Sequence, residues 1–157
     1  MASRYKASLI AYRIADNRHP IFDGNGAALT GGRWNSQGLR VIYASCSYAG
    51  AMLEKLAQTG IGSIPSNQQS IAIHVPDTIL IEEITAEDIP EWEFENKASS
   101  CNYGDTWLKE KRTSVLIVPS VVVRYERNIL INPDHAEFTK IAPSPPEAVI
   151  WDPRLFK

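Results

Sequence analysis

The clearest helical pattern of apolar positions lies in residues 46–58, where apolar side chains recur at the spacing of an amphipathic helix. Ser45 or Ser47 can cap its start, and Gly60 can end it. The helix follows a β-rich run, residues 39–44, which predicts a strand. The first predicted unit is therefore a strand that leads directly into a helix.

Other apolar runs are short and rich in β-branched residues. They predict strands at residues 70–75, 79–84, 114–118 and 129–131. A second helix is expected around residues 106–112, with Asp105 as its N-cap. This mixture predicts an α+β fold with a central twisted sheet and flanking helices.

The remaining segments carry breaking residues. Residues 61–69 are rich in Gly, Pro, Ser and Asn, which predicts a surface loop. Residues 142–147 contain three prolines, which argues against a regular element there. Residues 149–151 are apolar and predict a last strand that docks on the core.

Composition then limits the class of protein. A chain of 157 residues with 44% hydrophobic residues suits one compact domain over residues 1–157. With 16 Lys and Arg against 18 Asp and Glu, the net charge is −2, so no overall field attracts nucleic acid or an anionic membrane. Direct nucleic-acid binding by this chain is not expected.

Cysteine, histidine and the first residues give weaker indications. Cys46 and Cys101 belong to no metal-binding motif, and His19, His74 and His135 are scattered, so we expect reduced thiols and no metal site. The apolar stretch near the N-terminus is too short for a signal-peptide core or a membrane span. These features predict a cytoplasmic protein without membrane association.

Residues 22–35 hold four glycines around a single arginine, Arg33, and we expect residues 23–38 to form a long loop. No Gly-Lys-Ser/Thr follows, and a strand rather than a helix is predicted next, which excludes a Walker A loop and a dinucleotide fingerprint. Either the loop wraps an anionic ligand held by Arg33, or it is a flexible hairpin with a surface arginine. Arg13 is a second candidate anion contact, with the same alternative.

Glu54 lies on the predicted helix with Ala51, Gly50 and Ser47 three, four and seven positions before it. A carboxylate above such small residues can meet a ligand, although a solvated helix glutamate is the simpler alternative. Tyr43, at the end of the preceding strand, either stacks on a flat ring or belongs to the core.

Ser120 follows Pro119 inside an apolar run that extends from residue 114 to 123. Because proline interrupts strand pairing, Ser120 is expected at a strand break. No nucleophile elbow surrounds it, so a binding or orienting hydroxyl is favoured over a nucleophile. Residues 91–95 alternate carboxylates and aromatics, which we interpret as the solvated edge of an extended segment.

The ordered motifs GGRWN, VIYAS, AMLE, GDTWL, VPSVVV, NILINP and WDPRL resemble the RES-domain family, named for an arginine, a glutamate and a serine. The resemblance covers almost the whole chain, and Arg33, Glu54 and Ser120 stand at those three positions. Tyr43 matches the family's tyrosine in the strand before the helix. The resemblance implies an ADP-ribosyltransferase-like fold and a bacterial toxin, of a type II toxin–antitoxin pair, that consumes NAD.

The resemblance also implies roles for individual residues. Glu54 would stabilise the positive charge that builds on the ribose when the nicotinamide–ribose bond breaks. Arg33, with Arg13 beside it, would hold phosphate oxygens, and Tyr43 would stack near the nicotinamide. Ser120 would orient the ribose or the carboxamide. A weaker candidate for binding NAD is Asn132.

NAD is expected as the substrate, with no separate cofactor. The acceptor stays open: water gives hydrolysis, phosphate gives phosphorolysis, and a protein side chain gives ADP-ribosyl transfer, with free-NAD degradation ranked first. Other possibilities are a non-catalytic nucleotide-binding module and a ribonuclease, the latter disfavoured by the acidic pI and the lack of a histidine pair. The expected partners are a helix-turn-helix antitoxin over the Arg33 cleft and, in a homodimer, a second copy of the chain.

Overall fold

A computed structural model describes residues 1–60 and 62–157. The strands in these ranges are β1 (Ser3–Lys6), β2 (Leu9–Asp16), β3 (Ile42–Ser45), β4 (Gln68–Val75), β5 (Leu80–Glu83), β6 (Val115–Pro119), β7 (Arg127–Ile131), β8 (Ala142–Pro143) and β9 (Glu147–Ala148). The α-helices are α1 (Asn25–Thr30), α2 (Tyr48–Thr59) and α3 (Ala98–Glu110), and two short 3-10 helices span Ala136–Lys140 and Pro153–Phe156.

The strands form one mixed sheet in the order β1-β5-β6-β7-β3-β2-β4-β8, with β9 also paired to β4. Strands β5 and β6 run parallel, whereas β6 with β7 and β7 with β3 are antiparallel. Helix α2 packs against β2 and β3, the strands at the centre of the order. The prediction of a single α+β domain with a central sheet is confirmed.

Both faces of the sheet centre are buried, which strand β6 shows most clearly. Val115 and Ile117 join the apolar cluster on one face, and Leu116 and Val118 join a second cluster that contains Trp107. Alternate side chains of a strand point to opposite faces, so a continuous apolar run is what a strand covered on both sides requires.

One helix prediction and one loop prediction need correction. Helix α3 begins at Ala98 rather than near residue 106, with Lys97 in the left-handed region before it. Its first turns are polar, and their apolar spacing gave no helical pattern. Asp105 therefore lies inside the helix, and its carboxylate accepts hydrogen bonds from the backbone and hydroxyl of Ser36. The glycine-rich segment is not loop throughout, since it includes the short helix α1.

The predictions for four further segments were also partly wrong. The proline-rich segment does pair, through β8 and β9, because edge strands tolerate proline. Residues 149–151 are not a strand. Within the predicted loop at residues 61–69, Gln68 and Gln69 belong to β4, and Ile61 lies outside the described residues. Residues 9–16, for which no strand was predicted, form strand β2.

The described helices include none with both the length and the hydrophobicity of a membrane span.

Candidate active site

The site lies where β2, β3 and β7 are in register. Tyr12 pairs with Ser45, and Ser45 pairs with Asn128, so these side chains form a row across three neighbouring strands. Strand β6 continues the row with Val118 and ends at Pro119. Helix α2 begins directly after β3 and therefore carries its side chains to the same end of the sheet.

The start of α2 is fixed by a network around its N-cap. The Ser47 hydroxyl accepts a hydrogen bond from the Gly50 amide at 2.9 Å and donates to Glu126 Oε1 at 2.6 Å. A Cβ at Gly50 would lie only 2.7 Å from that same carboxylate oxygen. The small residues before Glu54 thus make room for the approach of Glu126, and the network orients α2.

Glu54 is held through one oxygen by two donors. The Ser120 hydroxyl lies 3.0 Å and the Asn128 Nδ2 lies 2.9 Å from Glu54 Oε1. Ser120 Oγ also accepts from the Val123 amide at 2.9 Å, so its own proton is directed to the carboxylate. The Ser45 hydroxyl lies 3.4 Å from Asn128 Oδ1, and this contact orients the amide with its nitrogen toward Glu54.

Glu54 faces a cavity of about 670 Å³, within the size range of ligand sites in proteins. Its described lining includes the aromatic rings of Tyr12 and Tyr43. It also includes four cationic residues, Arg13, Arg33, Lys55 and Lys97, against one acidic residue, Glu54. The cavity concentrates positive charge in a chain whose net charge is −2, which favours an anionic ligand.

Arg13 lines the cavity, but its guanidinium binds the backbone. Nε donates to the Ile21 carbonyl at 2.7 Å, and Nη1 donates to the Tyr43 carbonyl at 2.9 Å. Burial lowers the pKa of Arg13, and the negative charge of Asp23 opposes that shift. Arg13 therefore ties β2 to β3 and contributes positive charge to the wall.

Arg33 also lines the cavity, and its Nη1 donates to the carbonyls of Trp92 and Phe94 at 2.9 and 3.1 Å. This contact corrects our interpretation of residues 91–95, which form turns rather than an extended edge. Their carboxylates are exposed, as expected, while Trp92 is buried in the core. The backbone of this segment anchors Arg33.

Tyr43 lines the cavity through its ring, and its hydroxyl is fixed from two sides. It donates to Asn35 Oδ1 at 2.6 Å and accepts from the Trp34 amide at 3.0 Å. Burial raises the pKa of this hydroxyl well above its ordinary value. Because Trp34 and Asn35 directly follow Arg33, Tyr43 also positions the backbone that carries Arg33.

Of the predicted site residues, the structure brings together Arg13, Arg33, Tyr43, Glu54 and Ser120, the last of them behind Glu54 rather than on the cavity surface. Asn132 is not among them. It is buried beyond the far end of β7, donates to the Leu108 carbonyl at 3.2 Å and accepts from the Asp134 amide at 3.0 Å. Its amide closes a turn, so the expectation of a ligand contact there is corrected.

Sequence reasoning missed Asn128, Lys55 and Lys97. The predicted strand began at residue 129, one position after the asparagine that reaches Glu54. A polar residue next to an apolar strand was the available signal.

Over residues 1–60 and 62–157, no group of three or more His, Cys, Asp or Glu side chains is placed to hold a metal ion.

Comparison with solved structures supports the fold. The chain aligns with a chain of the crystal structure of the M. tuberculosis MbcT-MbcA toxin-antitoxin complex with a TM-score of 0.73 and 19% identity. The alignment covers 98% of this chain and 89% of that chain. At this identity the likeness concerns the fold.

Comparison with curated sequences gives nearer relatives. A protein of Sphingobium sp. (strain YBL2) named Prs ADP-ribosylating toxin is 38% identical over 138 residues, 85% of this chain and 86% of that protein. A protein of Yersinia enterocolitica named Toxin Res is 33% identical over 152 residues, 94% of this chain and 99% of that protein. The RES domain family matches residues 10–152. The chain therefore belongs to the RES-domain family.

Proposed function

We propose that this chain is the toxin of a toxin–antitoxin pair and that it cleaves the bond between nicotinamide and ribose in NAD. The observation that carries the proposal is the carboxylate of Glu54, held by Ser120 and Asn128 at the wall of a cationic cavity. Membership of the RES-domain family and the toxin names of its relatives support the same function.

The chemistry needs a carboxylate but no second acid. The nicotinamide nitrogen of NAD is already cationic, so when the bond to C1′ breaks, the ring takes the electron pair and leaves neutral. The ribose then carries the positive charge of an oxocarbenium ion. A fixed carboxylate such as Glu54 stabilises that charge in the transition state.

The contacts of Glu54 suit this task. Two donors occupy Oε1, which leaves Oε2 for the ribose hydroxyls or the developing charge at C1′. Ser120 and Asn128 act as positioning residues, because they hold the carboxylate in place before the substrate arrives. The ring of Tyr43 on the cavity wall offers a flat surface for the nicotinamide.

Nicotinamide release tests the proposal directly. Purified chain, free of any partner protein, is incubated with NAD, with and without inorganic phosphate, and nicotinamide is followed by chromatography. Release by the folded protein supports the function. A folded protein that binds NAD and returns it unchanged would instead be a nucleotide-binding module.

The acceptor decides the name of the reaction. Attack of water on C1′ gives ADP-ribose and a proton. Attack of phosphate on the same carbon gives the 1-phosphate ester of ADP-ribose. We place this consumption of free NAD first. The name of the Sphingobium relative favours a second candidate, transfer of ADP-ribose to a protein side chain. Mass spectrometry of the small products, and of proteins incubated with labelled NAD, separates the three outcomes.

A cytoplasmic enzyme that consumes NAD without control would kill its own cell, so we propose a helix-turn-helix antitoxin that covers the cleft beside Arg33. The structural neighbour comes from a toxin-antitoxin complex, which supports a protein partner. The expected result is that the co-expressed partner blocks nicotinamide release and that saturating ADP-ribose competes with it for the chain. A bound partner that leaves nicotinamide release unchanged would contradict occlusion.

A further inference from the structure

The four cationic side chains of the cavity differ in the groups to which they are hydrogen-bonded. The guanidinium of Arg13 is bound to two backbone carbonyls, and Nη1 of Arg33 is bound to two more. Backbone carbonyls orient a guanidinium but do not neutralise its charge. Both arginines therefore stabilise the walls of the cavity and raise its positive potential, while part of their hydrogen-bonding capacity is already occupied.

Lys55 occupies the position next to Glu54 on α2 and lines the same cavity. Its ammonium donates to the neutral Gln58 Oε1 at 3.3 Å. Burial lowers the pKa of Lys55, the positive charge of Arg13 lowers it further, and the charge of Asp16 opposes both effects. Asp16 is itself paired with Arg18. Lys55 thus carries a charge that a bound anion would stabilise.

Lys97 lines the cavity from the residue that precedes helix α3. Its backbone is in the left-handed region, with φ near 58°, and its carbonyl accepts from the Cys101 amide at 2.9 Å. The Lys97 amide donates to the Phe94 carbonyl at 3.0 Å, and the same oxygen accepts from Arg33 Nη1, so Lys97 and Arg33 lie next to each other on the cavity wall. The cavity wall therefore carries one lysine next to Glu54 and another next to Arg33.

We propose that Lys55 and Lys97 bind the diphosphate of a dinucleotide substrate, with the charges of Arg13 and Arg33 behind them. This assignment rests on the proposed function, because it supplies the binding energy for the NAD whose ribose meets Glu54. A diphosphate carries two negative charges, and ammonium groups reach phosphate oxygens as point charges from flexible stems. Glu54 acts at the ribose, and the two lysines act at the diphosphate.

The test replaces each lysine with glutamine and measures both turnover and binding. Lys55→Gln and Lys97→Gln should each raise KM for NAD about tenfold, the effect of one lost charged hydrogen bond, with little change in kcat. Affinity for ADP-ribose, measured by calorimetry, should fall to a similar extent. Lys109→Gln, in the exposed last turn of α3, is the matched control and should leave both values unchanged.

Two further measurements separate charge from packing and diphosphate from ribose. Lys55→Arg and Lys97→Arg keep the charge and should bring KM back to within a few-fold of the original value. Inhibition by nicotinamide riboside, which has no diphosphate, should be the same in the glutamine variants as in the original protein. Weaker inhibition by the riboside would overturn the assignment to the diphosphate.

An unchanged KM and an unchanged ADP-ribose affinity in either glutamine variant would also overturn the two-lysine site. The binding measurement keeps this test separate from the proposed function. If the original protein binds ADP-ribose but releases no nicotinamide, the catalytic proposal fails, while the lysine variants still decide the diphosphate site.

Discussion

The Nδ2 atom of Asn128 lies 2.9 Å from Glu54 Oε1, although 74 positions separate the two residues along the chain. The contact arises because β7 pairs with β3, and β3 leads into the helix that carries Glu54. Ser120 reaches the same oxygen from the end of β6. The carboxylate is therefore oriented by the sheet and not by α2 alone.

Removing one of these donors should lower kcat more than it raises KM. In Asn128→Ala or Ser120→Ala, Glu54 keeps its charge but loses one of two hydrogen bonds, so we expect a fall in kcat of about tenfold. KM for NAD should change little, because the diphosphate contacts remain. Steady-state nicotinamide release measures both constants.

Two substitutions serve as controls for that prediction. Ser120→Thr keeps the hydroxyl and should retain most of the activity, and Asn102→Ala, exposed on α3, should behave like the original protein. A rise in KM with unchanged kcat in Asn128→Ala would show that the amide binds substrate instead of holding Glu54.

The backbone of the loop that carries Arg33 packs directly against helix α3 at Gly104. A Cβ at this position would lie 1.8 Å from the Trp34 carbonyl oxygen, a backbone atom that cannot move alone. Gly104→Ala should therefore destabilise the fold by about 3 kcal/mol and displace the Arg33 loop. Urea unfolding and nicotinamide release of the same preparation measure the two effects.

Gly26→Ala is the matched control for this close contact. Gly26 lies in helix α1, and a Cβ there meets no described atom within 4 Å. The alanine should leave stability unchanged or raise it slightly, because glycine is the poorer helix former. Equal loss of stability in the two variants would contradict the packing argument.

Glu82 is fully buried in β5 and is the centre of an ion-pair network away from the cavity. Burial acts to raise its pKa, but hydrogen bonds from Arg112, Tyr103 and Arg4 outweigh burial and hold the pKa below its ordinary value of 4.5. Its ionised form thus contributes stability above pH 4.5, and that contribution is lost as the pH falls toward the lowered pKa.

Acid unfolding tests the network. Glu82→Gln should cost about 3 kcal/mol at neutral pH, because it leaves Arg112 without its buried partner. The free energy of unfolding of this variant should also depend less on pH below 4.5 than that of the original protein. Parallel pH dependences would show that Glu82 is not the source of the effect.

The sequence predicted secondary structure correctly where the spacing of apolar residues matches the residues that are buried. The helix predicted over residues 46–58 from apolar spacing is observed at Tyr48–Thr59, and its cap is Ser47, one of the two serines predicted. The proline predicted the strand break before Ser120. Helix α3 was predicted too short, because its first turns are polar and show no apolar spacing. Tertiary contacts such as that of Gly104 with Trp34 stabilise the helix instead. Local pattern does not contain that information.

In the candidate site, too, some residues were predictable from sequence motifs and others depend on the tertiary structure. Arg33, Glu54 and Ser120 were predicted from the motifs around them, and the structure places Arg33 and Glu54 on the wall of one cavity with Ser120 directly behind Glu54. Asn128 and the two lysines were missed, because their relevance depends on strand register and on which wall of the cavity each residue lines. Asn132 stands in the same motif as Asn128, NILINP, yet its amide closes a turn near α3.

The most direct test of the account compares nicotinamide release by the original protein, by Glu54→Gln and by Glu95→Gln, an exposed acid outside the cavity lining described above. We predict that Glu54→Gln lowers kcat by about 10²- to 10³-fold, because the lost charge acts in the transition state. Its affinity for ADP-ribose and its melting temperature should stay close to those of the original protein, and Glu95→Gln should keep full activity. Undiminished nicotinamide release by folded Glu54→Gln would contradict the central claim.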